Sequence, residues 1–357
     1  MTEANKRKGL FAQVVLLISS MTGVGFSSGH EIWSFFGRHG FGGLFSVITM
    51  PVVLAVFIYM TLTIFGNKRA QDDYKEKCRK NKLLQMISNI IDLIVALFIG
   101  IIVVSMISAA GDVINQLSGI PLYIGCIFAA VVVFSAVVGG SIRYVTSYLS
   151  FALPVILTST IVICVTALSV SSGQILLPRR EFGISDNWLI SLLLYVSYNM
   201  LVVRGVASSI SETVNKRKHA FLISVLSATI FGTIAVLQFI VETKSENIGA
   251  INGFQMVHIA HEISPVLATA YRMLILISAI GTAIACFYAF ISKLIRTKYT
   301  NRVKQKKLIV LVAILCCIGS LIGFANINSI VYPLLGTIGL ISLVTIVYRY
   351  YAIKNES

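Results

Sequence analysis

Charged residues are scarce in this sequence of 357 residues: Asp, Glu, Lys and Arg make up only 12% of the chain, and apolar residues make up 57%. The mean hydropathy is +0.88. Soluble domains carry about 25% charged residues. The composition therefore excludes an ordinary soluble domain and predicts an all-α polytopic membrane protein.

Several sequence motifs of enzymes and pumps are missing. The chain has no Gly-rich phosphate loop ending in Lys-Ser or Lys-Thr, which argues against a primary pump driven by ATP. Five of the six cysteines lie in apolar runs and only Cys78 lies in a charged loop, so no disulfide framework is expected. His258 and His261 are three residues apart, whereas a zinc hydrolase helix needs two histidines four apart. We expect no catalysis and no cofactor, apart from Na⁺ or H⁺ as a coupling ion.

Acidic residues are outnumbered by basic ones, 14 against 29, which gives a formal net charge of +15 at pH 7. In a soluble protein such an excess would suggest a nucleic-acid partner. Here the Lys and Arg residues stand in short clusters between apolar runs, where they orient helices in a bilayer. The charge therefore predicts topology in a lipid bilayer, and we expect no nucleic-acid partner.

Ten apolar segments approach the roughly 20 residues that a membrane helix needs. They cover residues of about 10–36, 43–65, 84–110, 123–138, 144–170, 188–211, 221–241, 265–295, 308–324 and 330–348. With the N-terminus inside, 23 of the 29 basic residues fall on the inner side and four on the outer side. An odd number of helices would destroy this asymmetry, so we predict ten helices with both termini cytoplasmic.

Ten segments divide into two sets of five, residues 1–170 and 171–357, within one membrane domain. Because each set holds an odd number of helices, the second set would lie inverted relative to the first, as in many secondary transporters. This five-plus-five inverted repeat predicts that the sixth segment corresponds to the first.

Polar interruptions occur in both of these segments. The first contains Gly23-Val24-Gly25-Phe26-Ser27-Ser28-Gly29-His30-Glu31, and the sixth contains Tyr195-Val196-Ser197-Tyr198-Asn199. A bilayer tolerates irregular backbone only where protein or a water-filled cavity surrounds it. Broken helices one and six at matching positions therefore predict a substrate site at the membrane midplane. The alternative is that these small and polar residues serve helix packing.

The chemistry of the two interruptions suits a small zwitterion such as an amino acid. Glycines let a ligand approach the main chain, and freed amides and carbonyls at helix ends favour a carboxylate and a cation, respectively. Hydroxyl and amide side chains would add hydrogen bonds, and aromatic rings would form walls or gates. The predicted substrate-binding residues are Gly23, Gly25, Phe26, Ser27, Ser28, Gly29, Tyr195, Ser197, Tyr198 and Asn199.

These motifs, together with ten segments in this length, resemble the YkvI-type bacterial membrane proteins. That family belongs to the amino acid, polyamine and organocation transporter superfamily, which shares the fold of the LeuT-type sodium symporters. The resemblance covers nearly the whole chain. It implies an inverted repeat, a substrate held between segments one and six, and a location in the bacterial cytoplasmic membrane. It implies no particular substrate and leaves the oligomeric state open.

The same resemblance suggests where a sodium ion would bind. The ligands would be the carbonyls of Met21 and Val24 in segment one and residues near Ala279 and Thr282 in segment eight. Ala283 stands where the sodium-dependent pattern has a second hydroxyl, which weakens the case for sodium. Proton-coupled relatives carry a lysine in segment five, and this chain has none there. Coupling to Na⁺ or to H⁺ therefore stays open.

Charged residues inside the segments are functional candidates, because burying a charge is costly unless it is paired. Glu31 and His30 follow the first interruption, where they would carry coupling protons or cap a half-helix. Asp92 and Arg204 could form an inner gate or a plain stabilising pair. Asp112 and Arg272 could form an outer counterpart, or each could reach the interface separately.

The sequence thus predicts an ion-coupled secondary transporter of a small organic solute that works by alternating access. The alternative is a receptor or sensor of the same fold, similar in length and segment count to germinant-receptor subunits, which binds a ligand without moving it. Degenerate ion sites would favour the receptor, and Ala283 is a mild point for it.

Overall fold

The computed structural model describes residues 3–66, 82–138, 142–170, 187–211, 217–245, 248–251, 253–298 and 302–356. Within these ranges the regular structure is entirely helical, with 13 α-helices and no strand. The predicted all-α fold is therefore confirmed for the part of the chain that the structure describes.

The first apolar segment is built from three helices, α1 (Glu3–Met21), α2 (Val24–Ser27) and α3 (His30–Phe35), followed by a 3₁₀ turn at Gly37–His39. The other helices follow in chain order. They are α4 (Phe41–Gly66), α5 (Lys82–Ser118), α6 (Leu122–Val138), α7 (Ile142–Val170), α8 (Trp188–Ser211), α9 (Arg217–Lys244), α10 (Gln255–Ile263), α11 (Pro265–Lys298), α12 (Arg302–Ser320) and α13 (Phe324–Glu356).

Six of these helices are long and apolar enough to cross a membrane, namely α4, α5, α8, α9, α11 and α13. Four shorter apolar stretches lie in α1, α6, α7 and α12. Many large apolar side chains on these helices are exposed, as expected of surfaces that face lipid. The chain is therefore a multi-pass membrane protein, while the count of ten spans stays a prediction.

The break in the first segment is present, and its cause is local. Gly23 is extended, with φ −98° and ψ −174°, and the Thr22 hydroxyl donates to the Ile18 carbonyl at 2.8 Å. Gly29 has φ +84°, a left-handed conformation that side chains disfavour. The helix therefore stops at Met21, restarts for one turn, and changes direction again at Gly29.

The predicted break in the sixth segment is wrong, because α8 runs without interruption through Tyr195–Asn199. The polar side chains here bind carbonyls of the preceding turn: Ser197 donates to Leu194 at 2.9 Å, and the Asn199 amide donates to Tyr195 at 3.0 Å. Bonds of this kind leave a helix intact. Glycine is absent until Gly205, so the backbone has no position that favours a break.

Long helices from the first half of the chain pack against long helices from the second half. Helix α5 packs along α11, α4 along α9, and α1 against α8. Helix α8 also packs on α4, and α1 packs on α9. Helix α7 contacts α9 and α11, while α13 contacts α4 and α5. The short helices α2 and α3 lie inside this bundle, and all of their residues are buried.

Candidate functional site at the break in the first segment

Three consecutive carbonyls at the break, those of residues 26 to 28, accept hydrogen bonds from the second half of the chain. The Gln238 amide of α9 donates to Phe26 at 2.9 Å, the Tyr271 hydroxyl of α11 to Ser27 at 2.6 Å, and the Met256 backbone amide of α10 to Ser28 at 2.9 Å. Backbone groups freed inside a membrane must find such partners. The break is therefore held in place by three other helices.

A carboxylate lies directly beyond the break. Glu31 is 1% exposed, and its Oε1 accepts hydrogen bonds from the Tyr332 hydroxyl at 3.2 Å and the Tyr198 hydroxyl at 3.4 Å. Its Oε2 has no hydrogen-bond partner among the described residues. Helices α3, α8 and α13 thus meet at one carboxyl group that keeps one oxygen available for a ligand.

Gly25 makes this meeting possible. A Cβ placed on Gly25 would overlap the Tyr332 hydroxyl and touch Oε1 of Glu31. Any larger residue would therefore push the tyrosine and the carboxylate apart. In contrast, a Cβ on Gly23 would meet nothing within 4 Å.

Aromatic rings surround the carboxylate. The rings of Tyr198 and Tyr332 lie 5.6 Å apart, and the Tyr195 ring packs edge-on against Phe35 at 4.9 Å. The Tyr195 hydroxyl faces Glu31 and Asn199 without reaching hydrogen-bond geometry. A carboxyl group within an aromatic surround is suited to a ligand whose positive charge would stabilise the ionised carboxylate.

Three further predicted residues lie at the break. Ser28 donates its hydroxyl to the Gly25 carbonyl at 3.1 Å, and Phe26 stacks on Phe231 with ring centroids 4.6 Å apart. His30 is buried with neither ring nitrogen in a hydrogen bond among the described residues, and its ring lies 6.1 Å from that of Tyr332. These side chains shape the break and leave the imidazole available.

The predicted residues of α8 divide between two roles. Tyr195 and Tyr198 face Glu31, whereas the Ser197 hydroxyl donates to the Gly336 carbonyl of α13 at 2.6 Å. A Cβ on Gly339 would also collide with the backbone of Ser197. Ser197 therefore contributes to the close packing of α8 on α13. The side-chain Oδ1 of Asn199 has no hydrogen-bond partner among the described residues.

The expected sodium ligands are only partly brought together. Val24, Ala279 and Ala283 are buried in one apolar cluster, while Met21 belongs to the other large one. Within α2 the Val24 carbonyl accepts from the Ser28 amide at 2.8 Å. Helix α11 does pack against α2, and Thr282 is half-buried. A sodium site here stays a prediction.

The charged pairs suggested by the sequence have other contacts. Arg204 donates to the Ser342 hydroxyl at 3.2 Å, and the side chain of Asp92 lies outside the described residues, so that pair stays a prediction. Arg272 donates to Gln116 at 3.1 Å. Asp112 accepts from the Phe324 backbone amide at 3.1 Å, so it caps the start of α13.

Several residues at the break were not predicted from the sequence. Tyr332 and Tyr271 stand in apolar runs with no neighbouring polar pattern, and their roles depend on partners far along the chain. Glu242 did carry a signal, because an acidic residue directly follows the apolar run 221–241. It lies within α9 and is 0% exposed.

Helix α10 covers the break from the connection between the seventh and eighth segments. Its inner face is buried, and its outer face carries His258, whose Nε2 lies 3.3 Å from the Glu262 carboxylate. No group of three or more His, Cys, Asp or Glu side chains in the described part of the chain is placed to hold a metal ion.

The chain is similar to known proteins in sequence and in structure. No protein-family model matches the chain. In sequence it is 22% identical over 335 residues to the uncharacterized protein YyaD of Bacillus subtilis (strain 168), covering 93% of this chain and 94% of that protein. The resemblance to the YkvI-type family is not tested by these matches and stays a prediction.

In structure the chain is similar to the manganese transporter of Eremococcus coleocola. A complex of that transporter with an aromatic bis-isothiourea compound gives a TM-score of 0.59 at 12% identity, and a glutamate-to-glutamine variant gives 0.60 at 10%. Each match covers 98% of this chain and 80% of that transporter. The chain is thus a multi-pass membrane protein with the fold of a membrane transporter.

Proposed function

We propose that the protein is an ion-coupled secondary transporter of a small organic solute, an amino acid or a related zwitterion. The observation that carries this proposal is the buried Glu31 carboxylate, which two tyrosines hold at the break while Oε2 stays unpartnered among the described residues. A transporter fold with such a group at the break favours solute binding there.

The solute would be held by both of its charged groups. Its ammonium would bind Oε2 of Glu31 and lie against the rings of Tyr198 and Tyr332. The imidazole of His30, whose ring lies 6.1 Å from that of Tyr332, would donate to the solute carboxylate. Gly25 leaves room for the Tyr332 hydroxyl beside Oε1 of Glu31, which holds the carboxylate in place for the solute.

The pairing of helices supports the inverted repeat of residues 1–170 and 171–357. If each helix of the first half is matched to the one five segments later, the packing of α4 on α8 corresponds to that of α9 on α1. The packing of α7 on α11 likewise corresponds to that of α13 on α5. The two halves would move against each other around the break, which is how such repeats give alternating access.

The conformation of the site fits one closed stage of that cycle. Glu31, Ser28 and Tyr195 are buried, and Met256 of α10 is bonded to the break. A solute could reach Glu31 only after helices separate. Both termini would face the cytoplasm of a bacterial cell, as the distribution of basic residues favours.

We propose an organic solute in preference to manganese, because Glu31 lies among aromatic rings and the described residues hold no group of three or more His, Cys, Asp or Glu side chains. The transport would be coupled to Na⁺ or to H⁺.

A ligand-binding receptor of the same fold is the second candidate, because Ala283 is fully buried in an apolar cluster at the position where a sodium site would need a hydroxyl ligand.

Uptake by purified protein in proteoliposomes tests the proposal. Labelled amino acids are offered with a sodium gradient and a proton gradient imposed separately, and accumulation that collapses with the gradient is expected for one solute class. Glu31→Gln should abolish accumulation, and Glu262→Gln, on the outer face of α10, should leave it unchanged. Solute binding without accumulation under either gradient would establish the receptor instead.

A further inference from the structure

A second carboxylate lies at the break, beside Gly29, whereas Glu31 lies beside Gly25. Glu242 is 0% exposed, and neither of its oxygens has a hydrogen-bond partner among the described residues. A Cβ placed on Gly29 would overlap Oε1 of Glu242 and lie 3.2 Å from Cβ of Gln255. The carboxylate therefore points at the turn where α2 passes into α3, beneath α10.

Among the described residues, the groups recorded near Glu242 supply no positive charge. From α11 the Tyr271 phenol and from α7 the Cys164 thiol face it, and neither carries a positive charge. From α10, Gln255 and Met256 lie next to Gly29, where a Cβ would also overlap Oε1 of Glu242. An isolated buried carboxylate is very costly, so its charge requires a partner.

The number of side-chain oxygens near Glu242 that lack a hydrogen-bond partner indicates which kind of group neutralises its charge. Gln238, one helical turn before Glu242 on the same face of α9, has an unpartnered Oε1 at 0% exposure, and so does Gln255 at 1%. Both glutamines use their amide nitrogens on backbone carbonyls, those of Phe26 and Ile251. A proton on one oxygen of Glu242 would supply one donor for the other three acceptor oxygens, whereas a cation binds several oxygens at once.

We propose that Glu242, Gln238 and Gln255 form a sodium site beside Gly29, separate from the one expected near Thr282. The ligands are oxygens only and contain a single carboxylate, which matches a hard monovalent cation. The ion neutralises Glu242 and joins α9 to α10. Because α10 is bonded to the break through Ser28, sodium at this position stabilises the closed arrangement.

This inference rests on the proposed function in one respect, namely that the ion serves solute coupling. Binding of the ion itself can be measured without any solute. Failure of uptake and failure of this site are therefore distinguishable.

The experiment uses the full-length chain in detergent, with NaCl exchanged for choline chloride at constant ionic strength and pH. The thermal unfolding midpoint is one readout. The other is the fluorescence of Trp33, whose backbone amide bonds to the Gly29 carbonyl at 3.0 Å, recorded in a Trp188→Phe background where Trp33 is the one tryptophan left. Both signals should change saturably with sodium.

Glu242→Gln, which keeps the shape and removes the charge, should abolish both responses. Gln255→Leu removes one ligand and should raise the half-saturating sodium concentration about tenfold. It also serves as the test if Glu242→Gln fails to fold. Glu262→Gln is the matched control, an exposed glutamate on α10 that should respond like the parent protein.

Three results would overturn the proposal. One is an unchanged sodium response in Glu242→Gln, or in Gln255→Leu if the first variant does not fold. Another is loss of the response in Thr282→Val with retention in Glu242→Gln, which would place the ion between segments one and eight. The last is a parent protein that responds to pH and not to sodium, which would make Glu242 a proton carrier.

Discussion

The Tyr332 hydroxyl lies 3.2 Å from Oε1 of Glu31, and this contact joins the last membrane helix to the first across 301 positions of sequence. The same oxygen accepts from Tyr198 of α8. Glu31 is thus the residue at which helices α3, α8 and α13 are joined by hydrogen bonds. Any movement between α3 and the pair of α8 and α13 must change this contact.

Tyr332→Phe should weaken solute binding. The variant removes one of two donors to a buried carboxylate, and a lost hydrogen bond of that kind costs about 1–3 kcal/mol. We expect the affinity for the solute identified by uptake to fall about tenfold, measured by radioligand binding to purified protein. Tyr348→Phe, at an exposed position on the same helix, should bind like the parent protein. Equal affinities in the two variants would show that the Tyr332 hydroxyl has no part in the site.

Gly25→Ala should abolish solute binding, whereas Gly23→Ala should be tolerated. The first adds a methyl group between Tyr332 and Glu31, and the second adds one to open space at an extended backbone position. Because the two substitutions are chemically identical, the difference isolates the contact at Gly25. Binding assays and thermal unfolding of both proteins in detergent provide the comparison. Loss of binding in both, or in neither, would contradict the geometry.

Gly29→Ala should destabilise the protein more than Gly119→Ala. Both glycines have positive φ, +84° and +71°, so both alanines adopt a left-handed conformation at a cost of about 1–2 kcal/mol. At Gly119 the new methyl group meets nothing within 4 Å, while at Gly29 it displaces Glu242. Unfolding in mixed micelles measures the difference. Equal destabilisation would mean that Glu242 does not lie against Gly29.

Tyr271→Phe should lower stability by about 1–3 kcal/mol, because the Ser27 carbonyl would lose its donor inside the bundle. The Thr160 hydroxyl, 2.7 Å from that of Tyr271, loses a partner as well. Tyr123→Phe, at an exposed position, should be neutral. Thermal unfolding of the two variants in the same detergent gives the result, and an unchanged midpoint for Tyr271→Phe would show that this bond does not hold the break.

Local chemistry accounts for the parts of the fold that sequence reasoning predicted. Apolar runs specify membrane helices because backbone polar groups in lipid must be satisfied within the segment. Gly29 specifies the second change of direction because it adopts a left-handed conformation that other residues resist. The same rule explains the error in the sixth segment: Ser197 and Asn199 are polar, but their side chains bond to carbonyls of the preceding turn and leave the helix uninterrupted.

Contacts between distant residues account for what was missed. Nothing local distinguishes Tyr332 or Tyr271 from other tyrosines in apolar runs, and only packing brings their hydroxyls to Glu31 and Ser27.

The sequence by itself determined the membrane class, the helical segments and the broken first helix, since each depends on neighbouring residues alone. The tertiary structure decided that Glu31 and Glu242 both lie at that break, beside Gly25 and Gly29. It did so because the burial and hydrogen bonding of a charge depend on which helices surround it, and those helices come from both halves of the chain.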